Sequence, residues 1–289
     1  MPRNFDLQGH RGARALFPEN TVEGFAATLA IGVDTIELDV ALTTDGVAVV
    51  THDALLNPDL TRGPDGAWLA SPGPAVRTLT LSELRRYDVG RLRPGSAYAL
   101  MFPGQAPCDG ARIPTLTEVL ALTVSAGVRV EAELKTSDEP AVAPVEAAEA
   151  VLAAATAAGA LPLLGVRSFD WRGLAHLRRH HQAIPLTWLT RDGGELTRWP
   201  AAVATEARGC RNPVWAPAYR GVTEALVAKA HALGLGVAPW TVNAPADMAR
   251  LIGWGVDGLC TDRPDLARAV MAGAGLAPPR AVSGLCSEA

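Results

Sequence analysis

Ionisable side chains stand in three short clusters of this 289-residue sequence, each within or directly after an apolar run. The clusters are His10-Arg11-Gly12, Glu37-Leu38-Asp39 and Glu131-Ala132-Glu133-Leu134-Lys135. Side chains two positions apart on a β-strand share a face, so the charged groups of the second and third clusters each point to one side. Carboxylates that point into one space repel each other unless a cation or a proton lies between them. The spacing therefore predicts a cation-binding site.

The predicted ligands of this site are carboxylate oxygens. Such a set suits a hard divalent cation, Mg²⁺ or Ca²⁺, and lacks the thiolates that favour zinc. His10, Arg11 and Lys135 would add donors and positive charge around it, which indicates metal-assisted phosphoryl chemistry. Of the 26 basic residues only Lys135 and Lys229 are lysines. A compact ammonium group is therefore atypical for this chain, and its position suggests a contact with phosphate.

A second histidine, His52, follows a predicted hairpin. Asp45-Gly46 is typical of a two-residue hairpin turn. A turn of that length would place His52 directly opposite Asp39, with Cβ atoms about 5 Å apart. This register predicts that His52 joins the carboxylates.

Eight strand candidates alternate with Ala- and Leu-rich helix candidates, which is typical of an α/β fold of the (β/α)₈ TIM-barrel type. The strand candidates are residues 6–9, 34–41, 128–134, 163–168, 185–189, 213–216, 235–240 and 256–260. A doubly wound open sheet is the alternative, but no GxGxxG turn follows a strand. We expect one barrel domain over residues 1–272, an insertion at about 53–112 after the second strand and its hairpin, and a flexible tail over 273–289. Asn20 is predicted to cap the first helix, with Glu23 reaching back to it.

Composition excludes several classes of protein. The formal net charge is −4 and no basic stripe is present, so we expect no nucleic-acid partner. No segment has the features of a signal peptide or a membrane span, which predicts a cytoplasmic protein without stable membrane anchoring. The four cysteines form no CxxC pair. The histidines and arginines of residues 176–181 are predicted to form a solvated face.

The ordered motifs resemble those of the glycerophosphodiester phosphodiesterase family. The resemblance rests on HRGARALFPENT (10–21), TIELDVALTTDGVAVVTHD (35–53), VEAELK (130–135), IPTLTEVL (113–120), VRSFD (166–170), WTVN (240–243) and VDGLCTDRP (256–264). It covers residues 5 to 268. The stretch after His52 departs from the family pattern, which bears on the leaving group of the substrate and leaves the reaction type unchanged.

The resemblance implies hydrolysis of a small glycerophosphodiester to glycerol 3-phosphate and an alcohol. It implies that His10 and His52 form an acid–base pair and that Glu37, Asp39 and Glu133 bind the cation. Arg11, Lys135 and Trp240 would bind substrate, while Glu131 matches the family motif less well and is expected to be structural. A lysophospholipase D acting on lipids and a non-catalytic barrel that binds a phosphorylated ligand are the alternatives.

Overall fold

Eight parallel strands form a nearly closed barrel in the computed structural model, which describes residues 5–136, 142–191, 196–282 and 284. The strands are β1 (Asp6–His10), β2 (Thr35–Leu42), β4 (Arg129–Leu134), β5 (Leu164–Ser168), β6 (Leu186–Thr190), β7 (Val214–Pro217), β8 (Gly236–Val237) and β9 (Gly258–Thr261). The short strand β3 (Ala48–Val50) pairs antiparallel with β2. The last strand β9 pairs with β1 and is joined to the β8 region by hydrogen bonds such as Asp257 N–H to Val237 O, 2.8 Å. The TIM-barrel prediction is confirmed.

Helices cover the outside of the barrel. Within the described ranges they are α1 (Val22–Ile31), α2 (Leu81–Leu84), α3 (Ala97–Met101), α4 (Leu116–Ala126), α5 (Pro144–Ala157), α6 (Trp171–His180), α7 (Trp199–Glu206), α8 (Glu224–Ala232), α9 (Pro245–Gly253) and α10 (Pro264–Gly273). Among these residues, no helix has the length and apolar character needed to cross a membrane. Thr115 and Thr223 cap α4 and α8 through their side-chain oxygens, which satisfies free amides of the first turn.

The residue pattern of β2 explains how the barrel holds polar groups inside. Ile36, Leu38 and Val40 are buried in the same apolar core as Phe25 of α1 and Leu120 of α4. The alternate residues of β2 therefore point to the barrel interior, as the period of two predicts.

Two glycines allow the turn after β1 to close tightly. A Cβ on Gly9 would stand 2.5 Å from the carbonyl oxygen of Gly12. Gly12 has φ +88°, a conformation that residues with a side chain rarely adopt. Without these glycines, His10 and Arg11 could not lie at this turn in the same positions.

The long segment between β3 and α4 packs over the barrel as a small layer. Leu56, Val76, Leu84 and Ile113 of this segment form a buried apolar cluster with Val49 of β3. Two short helices, α2 and α3, lie in this segment. This segment spans the residues predicted as an insertion.

The segment that follows α10 packs against the barrel in its described part. The Val282 N–H donates to Leu29 O of α1 at 2.9 Å, and Pro279 O accepts from Arg268 Nη1 of α10. Val282 thus contacts α1, and the flexible tail over residues 273–289 stays a prediction. Residues 283 and 285–289 lie outside the described ranges.

Three local predictions were wrong. The hairpin pairs Val40 with Val50 and Leu42 with Ala48, so its loop has three residues and the register is shifted by one. Gly46 has φ +76°, which fits a type I turn followed by a glycine bulge. Thr21 caps α1, and Asn20 donates to Asp39. The strand predicted at 235–240 is the shorter β8, which ends at Val237, because Pro239 cannot donate to a ladder.

Candidate active site

The barrel register brings the predicted carboxylates to one level inside the barrel. His10 of β1 is paired with Glu37 of β2, and Asp39 of β2 is paired with Glu133 of β4. His10 and Glu133 are at or next to the carboxyl ends of β1 and β4, where TIM-barrel sites lie, and Glu37 and Asp39 of β2 are level with them. The three acidic side chains are buried, and one oxygen of each lies within 4.8 Å of the others.

Burial and neighbouring charges move the pKa values of Glu37 and Asp39 in opposite directions. Burial and the neighbouring Asp39 charge raise the pKa of Glu37. Burial acts in the same direction on Asp39, but the charges of Arg11, His52 and Lys135 outweigh it and hold the pKa of Asp39 below its usual range. A proton must therefore remain near Glu37 unless a cation takes its place. Three buried carboxylates whose negative charges repel one another suit a hard divalent cation, which prefers oxygen ligands.

Two positive groups and one amide surround Asp39. Arg11 Nε lies 3.1 Å from Asp39 Oδ2, and its Nη1 donates to Glu19 at 2.8 Å. Lys135 Nζ lies 3.0 Å from Glu133 and 3.9 Å from Asp39. Asn20 adopts φ +54° and donates from Nδ2 to Asp39 at 3.0 Å. These contacts fix the orientation of the carboxylate before any ligand arrives.

His10 forms a pair with Asp262, which follows β9. Its Nδ1 lies 2.6 Å from Asp262 Oδ1, and its Nε2 lies 4.0 Å from Glu37. Arg14 and Asn243 also donate to Asp262, at 3.0 and 2.7 Å. Burial lowers the pKa of His10 to about 4, although the Asp262 charge acts in the opposite direction. His10 is therefore a neutral imidazole at neutral pH.

His52 forms a similar pair with the adjacent Asp53. The His52 Nδ1 lies 2.6 Å from Asp53 Oδ1, and Asn57 donates to the other Asp53 oxygen at 2.7 Å. In place of the predicted pairing, Thr51 stands opposite Asp39 and donates its N–H to Asp39 O at 2.9 Å. His52 lies beyond the end of β3 and reaches the same cavity as His10, where its side chain is 30% exposed.

A buried arginine closes the cavity from below. Arg167 on β5 is 1% exposed, and its Nη1 lies 3.8 Å from Glu37. Its Nε lies 3.5 Å from Glu131, and its Nη2 donates to Gln8 at 2.7 Å. Glu131 thus faces Arg167 and stays apart from the other three carboxylates. This arginine balances part of the buried negative charge.

The site opens into a cavity of about 250 Å³. Beyond the ionisable residues, its wall includes Phe169, Leu189, Trp240 and Thr241, with Arg191 at the rim. Trp240 donates from its indole nitrogen to Ala216 O at 3.0 Å and packs edge-on against Phe169. The cavity therefore has an apolar wall beside a charged floor, which suits a small ligand with a phosphate and a carbon backbone.

The sequence reasoning did not assign a role to several residues that contact the predicted ones. These are Arg14, Glu19, Asp53, Arg167, Phe169 and Asp262. A charged residue directly after a barrel strand is a signal for a site residue. Asp262, which follows β9, could have been found in this way. Arg167 is inside β5 and offered no such signal.

The fold and the site define a (β/α)₈-barrel enzyme with a charged cavity for a small anionic ligand. A family model described as the glycerophosphoryl diester phosphodiesterase family matches residues 10–266. The chain belongs to this family. It is similar to a glycerophosphodiester phosphodiesterase of Caldanaerobacter subterraneus subsp. tengcongensis, with 31% identity over 258 residues, which are 89% of this chain and 93% of the relative.

Solved structures give the same result. A provisionally assigned glycerophosphoryl diester phosphodiesterase from Silicibacter pomeroyi has a TM-score of 0.87 and 38% identity, with 96% of each chain covered. A phosphodiesterase from Oleispira antarctica, solved with its product sn-glycerol-3-phosphate, shares the fold with a TM-score of 0.73 and 22% identity, over 92% of this chain and 96% of that one. The family model and the curated relative identify the chain as a glycerophosphodiester phosphodiesterase, and the solved structures share its fold.

Proposed function

We propose that this enzyme cleaves glycerophosphodiesters with His10 as the general base and His52 as the general acid. The observation that carries the proposal is the pairing of each imidazole with a carboxylate, at 2.6 Å in both cases, on one cavity that also holds three acidic residues. Glycerol 3-phosphate and an alcohol would be the products, in keeping with the product complex of the Oleispira antarctica protein.

The tautomer of His10 supports its role as base. Interactions with His10 and Arg14 hold the pKa of Asp262 below its usual range despite burial, so this carboxylate is ionised and can only accept. The His10 Nδ1 must then carry the hydrogen, which leaves the Nε2 lone pair free on the cavity side. This nitrogen would take a proton from the nucleophile, which is either water or the neighbouring hydroxyl of the substrate.

His52 lies closer to solvent and has a different charge environment. The carboxylate of Asp53 fixes the orientation of its ring, with His52 Nδ1 2.6 Å from Asp53 Oδ1. In the proposed reaction the bond between phosphorus and the leaving oxygen breaks while His52 transfers its proton to that oxygen. The departing alcohol can then leave through the open side of the cavity.

The remaining residues would hold the phosphate and the cation. Glu37, Asp39 and Glu133 would bind Mg²⁺ or Ca²⁺, which when bound polarises a phosphoryl oxygen. Arg11 and Lys135 would neutralise charge that develops on the phosphoryl group. Trp240 would contact the glycerol carbons.

A change of leaving group separates the two histidine roles. We expect His10→Ala and His52→Ala each to lower kcat/KM for glycerophosphocholine by about 10²- to 10⁴-fold. A p-nitrophenyl leaving group needs no proton, so it should restore activity in His52→Ala and not in His10→Ala. If the p-nitrophenyl substrate restored activity in His10→Ala alone, the acid and base roles would be exchanged. If it restored activity in neither variant, both assigned roles would be contradicted.

The cation is tested by removal and by titration. Activity should vanish in EDTA and return with Mg²⁺ or Ca²⁺, and the more effective ion identifies the natural one. Glu133→Gln should raise the cation concentration needed for half-maximal activity, whereas Glu131→Gln should leave that concentration unchanged. Full activity in EDTA would refute the metal site.

A lysophospholipase D activity is the second candidate, and one observation favours it. Helix α3 exposes Leu100 and Met101, at 75% and 64% of their surface. The neighbouring Tyr98 accepts from Arg14 and contacts Glu19, so this apolar surface adjoins the site. Comparison of lysophosphatidylcholine with glycerophosphocholine in the wild type and in the double variant Leu100→Ser/Met101→Ser tests this activity. A selective loss on the lipid would support it.

A further inference from the structure

A second group of metal-binding side chains lies outside the barrel, between helices α5 and α6. It consists of Glu149 of α5, His176 of α6 and His181, the residue after α6. Three of the six histidines of the chain, His176, His180 and His181, fall in this short stretch. We propose that Glu149, His176 and His181 form a second cation site, specific for Zn²⁺ and related transition-metal ions.

The donor atoms of this group already converge. Both imidazole Nε2 atoms face the same carboxylate oxygen, Glu149 Oε1, at 2.5 Å from His176 and 3.3 Å from His181. One donor atom of each of the three residues lies within 4.8 Å of the others. A tetrahedral zinc ion with ligand distances of about 2.0–2.1 Å separates its ligand atoms by about 3.3 Å. Small rotations of these side chains therefore suffice to enclose the ion.

The ligand chemistry distinguishes this group from the catalytic one. Two imidazole nitrogens and one carboxylate oxygen suit Zn²⁺, Co²⁺, Ni²⁺ or Cu²⁺, whereas Mg²⁺ and Ca²⁺ prefer oxygen ligands alone. The fourth position would be open to water, because the side chains of His176, His181 and Glu149 are 17%, 37% and 50% exposed. An ion can thus enter from solvent.

Nearby positive side chains are directed away from these donors. Arg178 donates from Nη1 to Arg208 O at 3.2 Å, and Arg179 donates from Nε to Ala175 O at 3.2 Å. The ring of His180 lies 4.7 Å from that of His176. In the described part of the chain, the carboxylate of Glu149 is hydrogen-bonded to the two imidazoles.

The position of the group indicates a structural role. Helices of this barrel run antiparallel to the strands, so His181, beyond the end of α6, is on the side away from the catalytic mouth. A bound ion would link α5 to the end of α6. Because the ion would bind only the folded chain, it would raise the free energy of unfolding by mass action and leave the turnover of the enzyme unchanged.

Metal titration of the full chain tests the second site. The chain is stripped of metal, saturated with Mg²⁺, and titrated with ZnCl₂ and with CoCl₂. We expect the wild type to bind one more equivalent of Zn²⁺ than His176→Gln and to unfold at a higher temperature when Zn²⁺ is present. With Co²⁺ it should show visible absorption bands of a low-coordinate site, absent from His176→Gln.

Two control variants complete the design. His231→Gln changes another half-buried histidine, which contacts Asp257 and lies elsewhere on the barrel. It should retain the extra equivalent, and turnover of His176→Gln should match the wild type. Equal Zn²⁺ stoichiometry in the wild type and in His176→Gln, or loss of the equivalent in His231→Gln as well, would overturn the second site. This result is independent of the catalytic proposal, since the catalytic carboxylates are intact in every variant.

Discussion

Asp262 is the residue whose replacement most directly tests the proposed catalytic geometry. It is fully buried and holds three partners at once, His10, Arg14 and Asn243. Replacement by asparagine keeps the size of the side chain but removes its charge and one acceptor oxygen. The variant Asp262→Asn thus changes the state of His10 without creating a cavity.

The size of the effect follows from the lost interactions. A hydrogen bond to a charged group is worth about 1.5–3 kcal/mol. When His10 accepts a proton during turnover, the missing negative charge would also no longer stabilise the imidazolium. A total of about 2–4 kcal/mol of transition-state stabilisation corresponds to a decrease of about 30- to 1000-fold in kcat, at 1.36 kcal/mol per factor of ten. KM should change little, because Asp262 lies behind His10 and not in the cavity wall.

Steady-state kinetics over a range of pH measure both kcat and KM of Asp262→Asn. Asp262 raises the pKa of His10, so its removal should move the acidic limb of the kcat/KM profile to lower pH. Asp265→Asn is the matched control, because Asp265 pairs with Arg263 at the surface of the same region. This control should show wild-type kinetics, and circular dichroism should confirm that both variants are folded.

Two results would refute the positioning role of Asp262. One is a kcat within about twofold of the wild type, since the carboxylate would then have no part in orienting His10. The other is a loss confined to KM with an unshifted pH profile, which would show that Asp262 acts on substrate binding alone.

Three other predictions concern single groups. Lys135→Arg should keep the fold but lower kcat strongly, because a planar guanidinium cannot replace a compact ammonium 3.0 Å from Glu133; near-full activity would refute this. Gly9→Ala should lower the free energy of unfolding by about 1–3 kcal/mol, since its Cβ would meet a backbone oxygen, and unchanged urea unfolding would be inconsistent with that contact. Glu118→Gln tests linkage between charge and stability. Burial raises the pKa of Glu118, but hydrogen bonds from Thr115 lower it further, so the net pKa is below its usual range. The wild type should therefore be more stable than Glu118→Gln at pH 7, by less than about 1 kcal/mol. That difference should shrink as the pH falls below about 4, and equal urea midpoints at pH 7 would contradict it.

The sequence was sufficient for the features that depend on local spacing. Strand periodicity placed Glu37 and Asp39 on one face, and the structure has both inside the barrel next to Glu133. The alternation of strands and helices identified the fold, because each element buries one apolar face regardless of where its neighbours lie.

Local spacing failed where a single backbone conformation decided the outcome. One additional loop residue, made possible by Gly46 at φ +76°, shifted the hairpin register and put Thr51 opposite Asp39. Asn20 resembled a helix cap in sequence, but its left-handed backbone turns the side chain towards Asp39. The hairpin register and the backbone conformation of Asn20 depend on contacts between residues that are close in space, and local spacing in the sequence does not reveal those contacts.

What the sequence determined by itself is the set of candidate site residues: the two histidines, the acidic residues and the unusual Lys135. Only the tertiary structure decided how these groups are oriented and charged. Closure of the barrel sets β1 beside β9, which brings Asp262 next to His10 although the two are 252 residues apart in sequence. The positive charge of the buried Arg167 balances the negative charges of Glu37 and Glu131. The physical reason is that pKa values and tautomers follow from burial and from charges close in space, and these appear only when the chain is folded.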